Sequence, residues 1–400
     1  MKQGIKNKII GNFIKEARYD LELTLNDLSN LIGISRGYLG EVEKGNKTIQ
    51  PDKLEMILDT LNIDFNFDES VFDISNDELI KAYNHYIYED YDDIYSIYIN
   101  SSNFFYSFGY IASQLIDLLI KIVNNKLLEH YDFIIFEDLF DFMNDIQKSI
   151  YLELKANYYI KNGDIKNADI TLQRLKNICC ELVIPMLHLD QCIVHVHRNN
   201  QLQAIKLHEV CVNDFSNSCN ESKMLWLNTI SVELLLQFKK YEEADLLCDL
   251  VLSKAKRYPN KEITNKCYQL KMAILISTQK YEEVINIYNL YYKNQMNFVS
   301  TFVLYTYYKQ MNFKKCSELI EKSKQITNSL NVQLFAKLLE ALIQHNSFED
   351  TKNTVTPLIA LAKSKENYNL LSSLIDMYSN FLYTNHYYKE AYDLKYSSLY

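Results

Sequence analysis

Glycine and proline are scarce in this chain, with 8 Gly and 4 Pro in 400 residues. Tight turns between strands draw on those residues, so their shortage argues against a β protein. The plentiful Leu, Ile, Lys, Glu and Asn instead favour helices joined by short polar turns. No run of about eighteen apolar residues occurs, which excludes an ordinary membrane-spanning helix. The opening MKQGIKNKII is no signal peptide, so a soluble, cytoplasmic protein without membrane contact is expected. The length exceeds one ordinary core, so several domains or a repeat array are expected.

Chemistry-bearing motifs are also missing. The sequence holds no H-E-x-x-H, Walker A, G-x-S-x-G or G-x-G-x-x-G pattern, and the reading is therefore not an enzyme. None of the eight cysteines forms a C-x-x-C pair, and adjacent Cys179 and Cys180 point to different helix faces. Reduced thiols serving as small core residues are expected. His188, Asp190, Cys192, His195 and His197 are the one cluster that tempts a metal assignment. His188 and His195 stand two helical turns apart, too far for one ion, so no metal or cofactor is expected.

What is present begins with the stretch Leu23 to Leu61, spaced as a helix-turn-helix. Thr24 can cap a short helix carrying Leu25, Leu28, Leu31 and Ile32. After a turn at Gly33, Ser35 can cap a second helix bearing Tyr38, Leu39 and Val42, which Gly45 stops, and Pro51 opens the next. A short, braced second helix of this kind fits a DNA major groove. Net charge is −9, yet residues 1–50 hold 8 Lys+Arg against 6 Asp+Glu, whereas residues 51–100 hold 2 against 13. One mildly basic head would bind phosphates weakly, and two copies in a homodimer would answer that weakness.

The segment resembles the Cro/C1-type (xenobiotic-response-element) regulators over residues 6–62, on Arg18, Thr24, Leu28, Gly33, Ser35, Leu39, Val42, Glu43-Lys44-Gly45 and Leu54. That resemblance implies base contacts from the start of the second motif helix, here Arg36, Gly37, Tyr38 and Glu41. Arg36 would fork onto guanine, Glu41 would accept from a cytosine amino group, and Tyr38 would meet a phosphate or a thymine methyl. Lys44 and Lys47 fall where phosphates should pass, and the capped helix start at Thr24 adds an anion site. Arg18 and Ser35 complete the candidate DNA-binding set. The family commonly has Gln after Thr24, where this chain has Leu25, and Gly37 and Gly40 thin the reading face.

Behind the head lies a repeat. Its unit is an aromatic or aliphatic residue, two polar residues and a small or aliphatic anchor, as in Tyr241-Glu-Glu-Ala244, Tyr281-Glu-Glu-Val284 and Tyr388-Lys-Glu-Ala391. Weaker copies end at Ile94, Ile134, Ala168, Ala204, Cys316 and Thr351, and the steps between anchors are 40, 34, 36, 40, 40, 32, 35 and 40 residues. Residues four and seven after the anchor should bury against the next unit: Leu172, Cys248, Tyr288, Ile320 and Val355, then Leu175, Cys211, Val251, Tyr291 and Leu358. Asp138 and Lys395 break that rule in the second and ninth units, which predicts a shifted turn and a capping unit.

Nine units of this length resemble tetratricopeptide repeats, which implies an all-α right-handed superhelix of about nine helix pairs with first helices on its concave wall. Counting back seven, eleven and fifteen residues from the anchors places Asn157, Thr229, Glu233, Gln237, Gln269, Thr301, Tyr305 and Asn380 on that wall as candidate peptide contacts. The expected division is a head at 1–66, a linker at 67–73 and the array at 74–400. A helix-turn-helix followed by such an array resembles the RRNPP peptide-pheromone receptors of Gram-positive bacteria. The resemblance implies a homodimeric transcription regulator that binds a double-stranded DNA operator and is gated by a short signalling peptide. It leaves open the dimer contact, for which the aromatic tail from Tyr378 to Tyr400 is a candidate. The alternative is an interaction scaffold whose array binds a protein partner, with a vestigial head.

Overall fold

The structure, a computed structural model, describes residues 3–124, 126, 128–255, 261–292, 299–326, 330–344 and 347–397. Among these the chain is helical throughout, and the sole β pairing is an isolated bridge between Asn66 and Ser107. Four helices open it: α1 (Gln3–Asp20), α2 (Leu25–Leu31), α3 (Arg36–Glu43) and α4 (Pro51–Thr60). Successive pairs follow. These are α5 (Ser70–Tyr88) with α6 (Tyr91–Ser101), α7 (Tyr110–Val123) with α8 (Ile134–Leu139), and α9 (Asp145–Lys161) with α10 (Ile165–Ile178). Next come α11 (Ile184–His197) with α12 (Gln201–Asn217), α13 (Glu221–Gln237) with α14 (Tyr241–Ala255), and α15 (Lys261–Ser277) with α16 (Tyr281–Tyr291). The last are α17 (Val299–Lys309) with α18 (Phe313–Ile326), α19 (Leu330–Gln344) with α20 (Phe348–Ser364), and α21 (Tyr368–Thr384) with α22 (Tyr388–Ser397). The all-α class and the nine helix pairs are those expected. No described helix is long and apolar enough to cross a membrane.

The repeat motif fixes where second helices begin. Tyr91, Ile165, Gln201, Tyr241, Tyr281, Phe313, Phe348 and Tyr388 are each the first residue of their helix. Their anchors Ile94, Ala168, Ala204, Ala244, Val284, Cys316, Thr351 and Ala391 are all buried. The second unit departs from this. A 3₁₀ turn at His130–Phe133 precedes α8, and its tighter winding rotates the face. Phe133 and Phe136 are buried in place of Ile134, which is 47% exposed. Asp138 is accordingly exposed and pairs with Lys15 at 3.6 Å. Tyr291 is also turned outward, and Tyr292 beside it fills the core, its hydroxyl 3.1 Å from Asn265 Oδ1. Cys192, Cys211, Cys248, Cys267 and Cys316 are buried free thiols, while Cys219 is exposed.

A glycine-poor chain must still reverse direction between paired helices. It does so by a repeated left-handed residue two positions before the second helix: Glu89, Gly163, Asn199, Lys239, Gln279, Met311 and His386, with φ between 54° and 72°. Around each, two crossed hydrogen bonds close the first helix, as where Lys239 N–H meets Leu236 O and Lys240 N–H meets Leu235 O, both at 2.9 Å. Only Gly163 adopts this shape without a Cβ penalty. Gly163→Ala should therefore lower unfolding free energy by about 1 kcal/mol, visible in the urea midpoint.

The chain divides into two compact units, Met1–Lys155 with Arg174–Ile184, and Ala156–Gln173 with Pro185–Tyr400. The first joins the head to the opening repeats. Phe13 of α1 meets Phe65 at 5.6 Å, Phe105 at 6.1 Å, Tyr106 at 5.3 Å and Tyr110 at 6.0 Å between ring centres. Asn66 N–H donates to Tyr106 O at 2.8 Å, and the Tyr110 hydroxyl donates to Glu16. The stretch 67–73, expected as a linker, is already helical from Ser70, and Phe67 packs on Phe65 and Phe108. Phe13→Ala should cost about 3–5 kcal/mol and open the stretch around residue 66 to protease, read by urea melts and limited digestion.

Candidate functional site

The head is built by its caps. Thr24 Oγ1 accepts from Asp27 N–H at 3.2 Å and Asp27 Oδ2 accepts from Thr24 N–H at 2.9 Å, a reciprocal box that starts α2. Ser35 Oγ accepts from Tyr38 N–H at 3.2 Å and starts α3. Both candidates thus orient a helix start, and both are exposed. Helix α3 approaches α1 so closely that a Cβ on Gly11 would lie 2.1 Å from Val42 O.

Arg18 is placed differently from its expectation as a DNA contact. It is buried, with Nε 2.8 Å from Glu43 Oε1, Nη2 3.0 Å from Oε2 and Nη1 2.7 Å from Leu23 O. Three of its N–H groups brace α1 to α3 and the side chain is buried, which places it inside the head rather than on a surface facing a nucleic acid. Arg36 and Gly37 are exposed at the start of α3, and a Cβ at Gly37 would meet nothing within 4 Å. Lys47 and Lys53 lie 5.7 and 5.4 Å from the Tyr38 ring centre, so this corner gathers cations over an aromatic face. Glu41 accepts from Asn46 at 3.0 Å and stands 3.5 Å from the exposed Lys44. The Asn46 amide first, and Lys44 after it, hold the Glu41 carboxyl below its usual range. Leu25 sits 3.4 Å from where a Gly40 Cβ would be, so the leucine covers that helix.

In the second unit the candidate peptide contacts separate into two groups. Thr229 is fully buried, its hydroxyl donating to Trp226 O at 2.7 Å, and Thr301 is buried too. Neither presents a side chain to a groove, because helix α13 and helix α17 turn those positions into the core. Glu233 pairs with Lys266, and the Gln237 amide donates to Val196 O at 2.9 Å. Burial works against the Glu233 charge, but Lys266 and then His197 outweigh it and hold the carboxyl below its usual value. Burial likewise pushes His197 below the ordinary imidazole range. A polar strip therefore crosses α11, α13 and α15. Asn157, Gln269 and Tyr305 are half-buried, and Asn380 is exposed. Burial first, with Asp376 among the nearby groups, pushes the Tyr305 hydroxyl up to about 12, and Lys309 lies 5.4 Å from its ring centre.

The capped, braced α2–α3 pair is a helix-turn-helix. Residues 14–67 match the family model Helix-turn-helix. No curated protein matches the chain. Among solved structures, the chain resembles that of a Rap protein complexed with Competence and Sporulation Factor, at 11% identity and TM-score 0.67, covering 82% of this chain and 97% of that one. The apo form of RapI aligns at 10% identity and TM-score 0.46, over 81% and 97% of the two chains. Bacillus thuringiensis PlcR in complex with the peptide PapR7 and DNA aligns at 14% identity and TM-score 0.31, over 78% and 99%. The likeness to the Rap protein establishes the helical-repeat fold of the array.

Sequence reading missed three features around these sites. His197 stands seven residues before Ala204, the same register as Gln237, and Lys266, eighteen before Val284, extends the stripe of seven, eleven and fifteen by one turn, so the register rule held the signal. Lys53 escaped notice because it belongs to α4, beyond the motif. Gly11 had no signal without its partner helix. Beyond these, His85 is grouped with Asp90 and Asp93 at the turn between α5 and α6, with 3.4 and 3.8 Å from its Nδ1 to their carboxylates. Two arginine variants distinguish framework from surface in the helix-turn-helix. Arg18→Ala should cost about 3–5 kcal/mol in urea melts by stranding Glu43. Arg36→Ala should leave the melt within about 0.5 kcal/mol of wild type.

Proposed function

We propose that the protein is a cytoplasmic, homodimeric transcription regulator that binds a double-stranded DNA operator through α3 and is gated by a short signalling peptide on the wall of its array. The observation that carries this reading is an exposed reading helix fixed to the opening repeats of an array with the fold of a Rap protein. The layout resembles the RRNPP receptors, which supplies the ligand class, and the Rap protein of shared fold is itself complexed with Competence and Sporulation Factor. Arg36 is the principal candidate for base readout. Lys44, Lys47 and Lys53 are the candidates for phosphates, with Tyr38 between them. On the array, Asn157, Glu233, Gln237, Gln269, Tyr305 and Asn380 remain the candidate peptide contacts, joined by His197 and Lys266.

Glu41 is held by Asn46 and Lys44, and Leu25 packs toward Gly40, which together thin the reading face. These contacts favour the second reading, a scaffold with a vestigial head. Gel shifts with upstream DNA at low salt separate the two. Wild type should bind and Arg36→Ala should lose about 1–3 kcal/mol of discrimination. If wild type binds no upstream DNA at low salt, the scaffold stands instead. Calorimetric titration with short peptides encoded beside the gene should find one that binds and alters DNA affinity. A set with no binder and unchanged DNA affinity would sink the gating.

A further inference from the structure

In a repeat stack each unit ordinarily touches only its neighbours. The compact unit 156–173 with 185–400 breaks that rule at two places: Lys161 of α9 reaches Glu262 of α15 at 3.7 Å, and a larger cluster joins α10 to the end of α20. Lys365, at the end of α20, pairs with Asp164 at the start of α10, a contact 201 residues apart in the chain. Lys166 N–H donates to Lys365 O at 3.2 Å, so backbone as well as side chains meet there. Arg198, just past α11, bridges the same gap, with Nη1 2.7 Å from Asp169 Oδ2 and Nη2 on Glu366. These groups are partly withdrawn from water, from 11% exposure at Asp164 to 33% at Lys365. His195 is the further titratable group facing Asp169 and Arg198, and burial keeps it below its ordinary value.

Both halves of the cluster are rigidly mounted. Asp164 accepts from Asn167 N–H at 3.3 Å and from its amide at 2.9 Å, which fixes the carboxylate at the helix start. Glu366 occupies the left-handed position that ends α20, and Asn367 caps α21 immediately after it. Nine helices, α11 to α19, lie between the α10 and α20 that carry the two halves. A small change in rotation per pair adds up along such a stack, so separation of the halves is the most sensitive measure of its curvature. The half-buried wall residues Glu233, Gln237, Gln269 and Tyr305 all belong to the intervening helices.

We propose that Asp164, Asp169, Arg198, Lys365 and Glu366 form an ionic latch that holds the second unit at one curvature, and that peptide affinity of the wall is set through it. The second clause rests on the function proposed above, and the first does not. Small-angle scattering of the full-length protein tests the latch without any ligand. Raising salt from 0.01 to 1 M shortens the screening length from about 30 to about 3 Å, and the radius of gyration of wild type should rise with it. Lys365→Glu should show the larger radius already at low salt and lose the salt response. Combining it with Asp164→Lys should restore both, since the charges are then exchanged. A wild-type radius unchanged by salt, or a Lys365→Glu protein with wild-type helix content and wild-type scattering, would overturn the latch. So would an exchange variant that stays as open as the single one. For the second clause, calorimetry with a peptide that binds wild type should show an affinity change of about 5-fold or more in Lys365→Glu. Equal affinity in a variant whose scattering has opened would overturn that linkage, whereas absence of any binding peptide counts against the function and leaves the latch standing.

Discussion

The structure depends on the ring of aromatic side chains around Phe13. A helix-turn-helix is too small to bury a large core of its own, and α1 solves this by placing Phe13 against Phe65, Phe105, Tyr106 and Tyr110. Ring pairs in this geometry add about 0.5–1.5 kcal/mol each beyond their buried area. The consequence reaches function. Because α1 also carries Arg18 and Gly11, which fix α3, the helix proposed to read DNA takes its orientation from the same helix that grips the opening repeats. The head is a projection of the first unit rather than a tethered module.

Farther along, the governing constraint is the tight reversal between paired helices. With few glycines available, the chain uses side-chain-bearing residues in left-handed geometry and closes each turn with two backbone hydrogen bonds. Those turns are uniform, which is why the first residue of every motif but the second begins a helix and the anchor three positions on meets the core. Ala244 with Cys248 and Val251 belongs to one buried cluster, while Val284, Cys316, Val355 and Ala391 belong to the next. Each cluster runs across several helices, and α15 contributes to both, Cys267, Leu270 and Ile274 to one and Met272 and Leu275 to the other.

This uniformity is also why so much of the fold was legible in the sequence. Thr24, Ser35, Gly45 and Pro51 each act locally, through caps and stops that need no distant partner, and so they mark the helices of the head. The anchors are legible for the same reason, since a period of helix and turn leaves its trace in spacing. What escaped was non-local. Arg18 looks like any exposed cation until Glu43 and Leu23 O are seen around it. Thr229 has the register of a wall residue, yet a few tens of degrees of helix rotation bury it, and one 3₁₀ turn moves the second unit off its anchor. Tyr291 and Tyr292 are neighbours of like chemistry, and only packing decides which faces inward.

The burial of Arg18 sharpens the electrostatic argument for pairing. A cation neutralised by Glu43 inside the head would release no counterion from DNA, so the proposed DNA contact rests on Arg36, Lys44, Lys47 and Lys53. The logarithm of affinity falls with the logarithm of salt by about 0.9 per phosphate neutralised, so a head with three phosphate contacts draws only modest binding from that source. The 13 acidic residues between positions 51 and 100 add charge of the opposite sign along the chain directly behind α3. In the proposed homodimer, two heads on one operator would double the number of phosphates neutralised, and the second would bind at the high effective concentration set by the first. That gain exists only while both reading helices match the spacing of the two half-sites. Under the proposed function, half-site spacing would be set where two copies pair rather than inside the head, since α1 fixes α3 to the opening repeats.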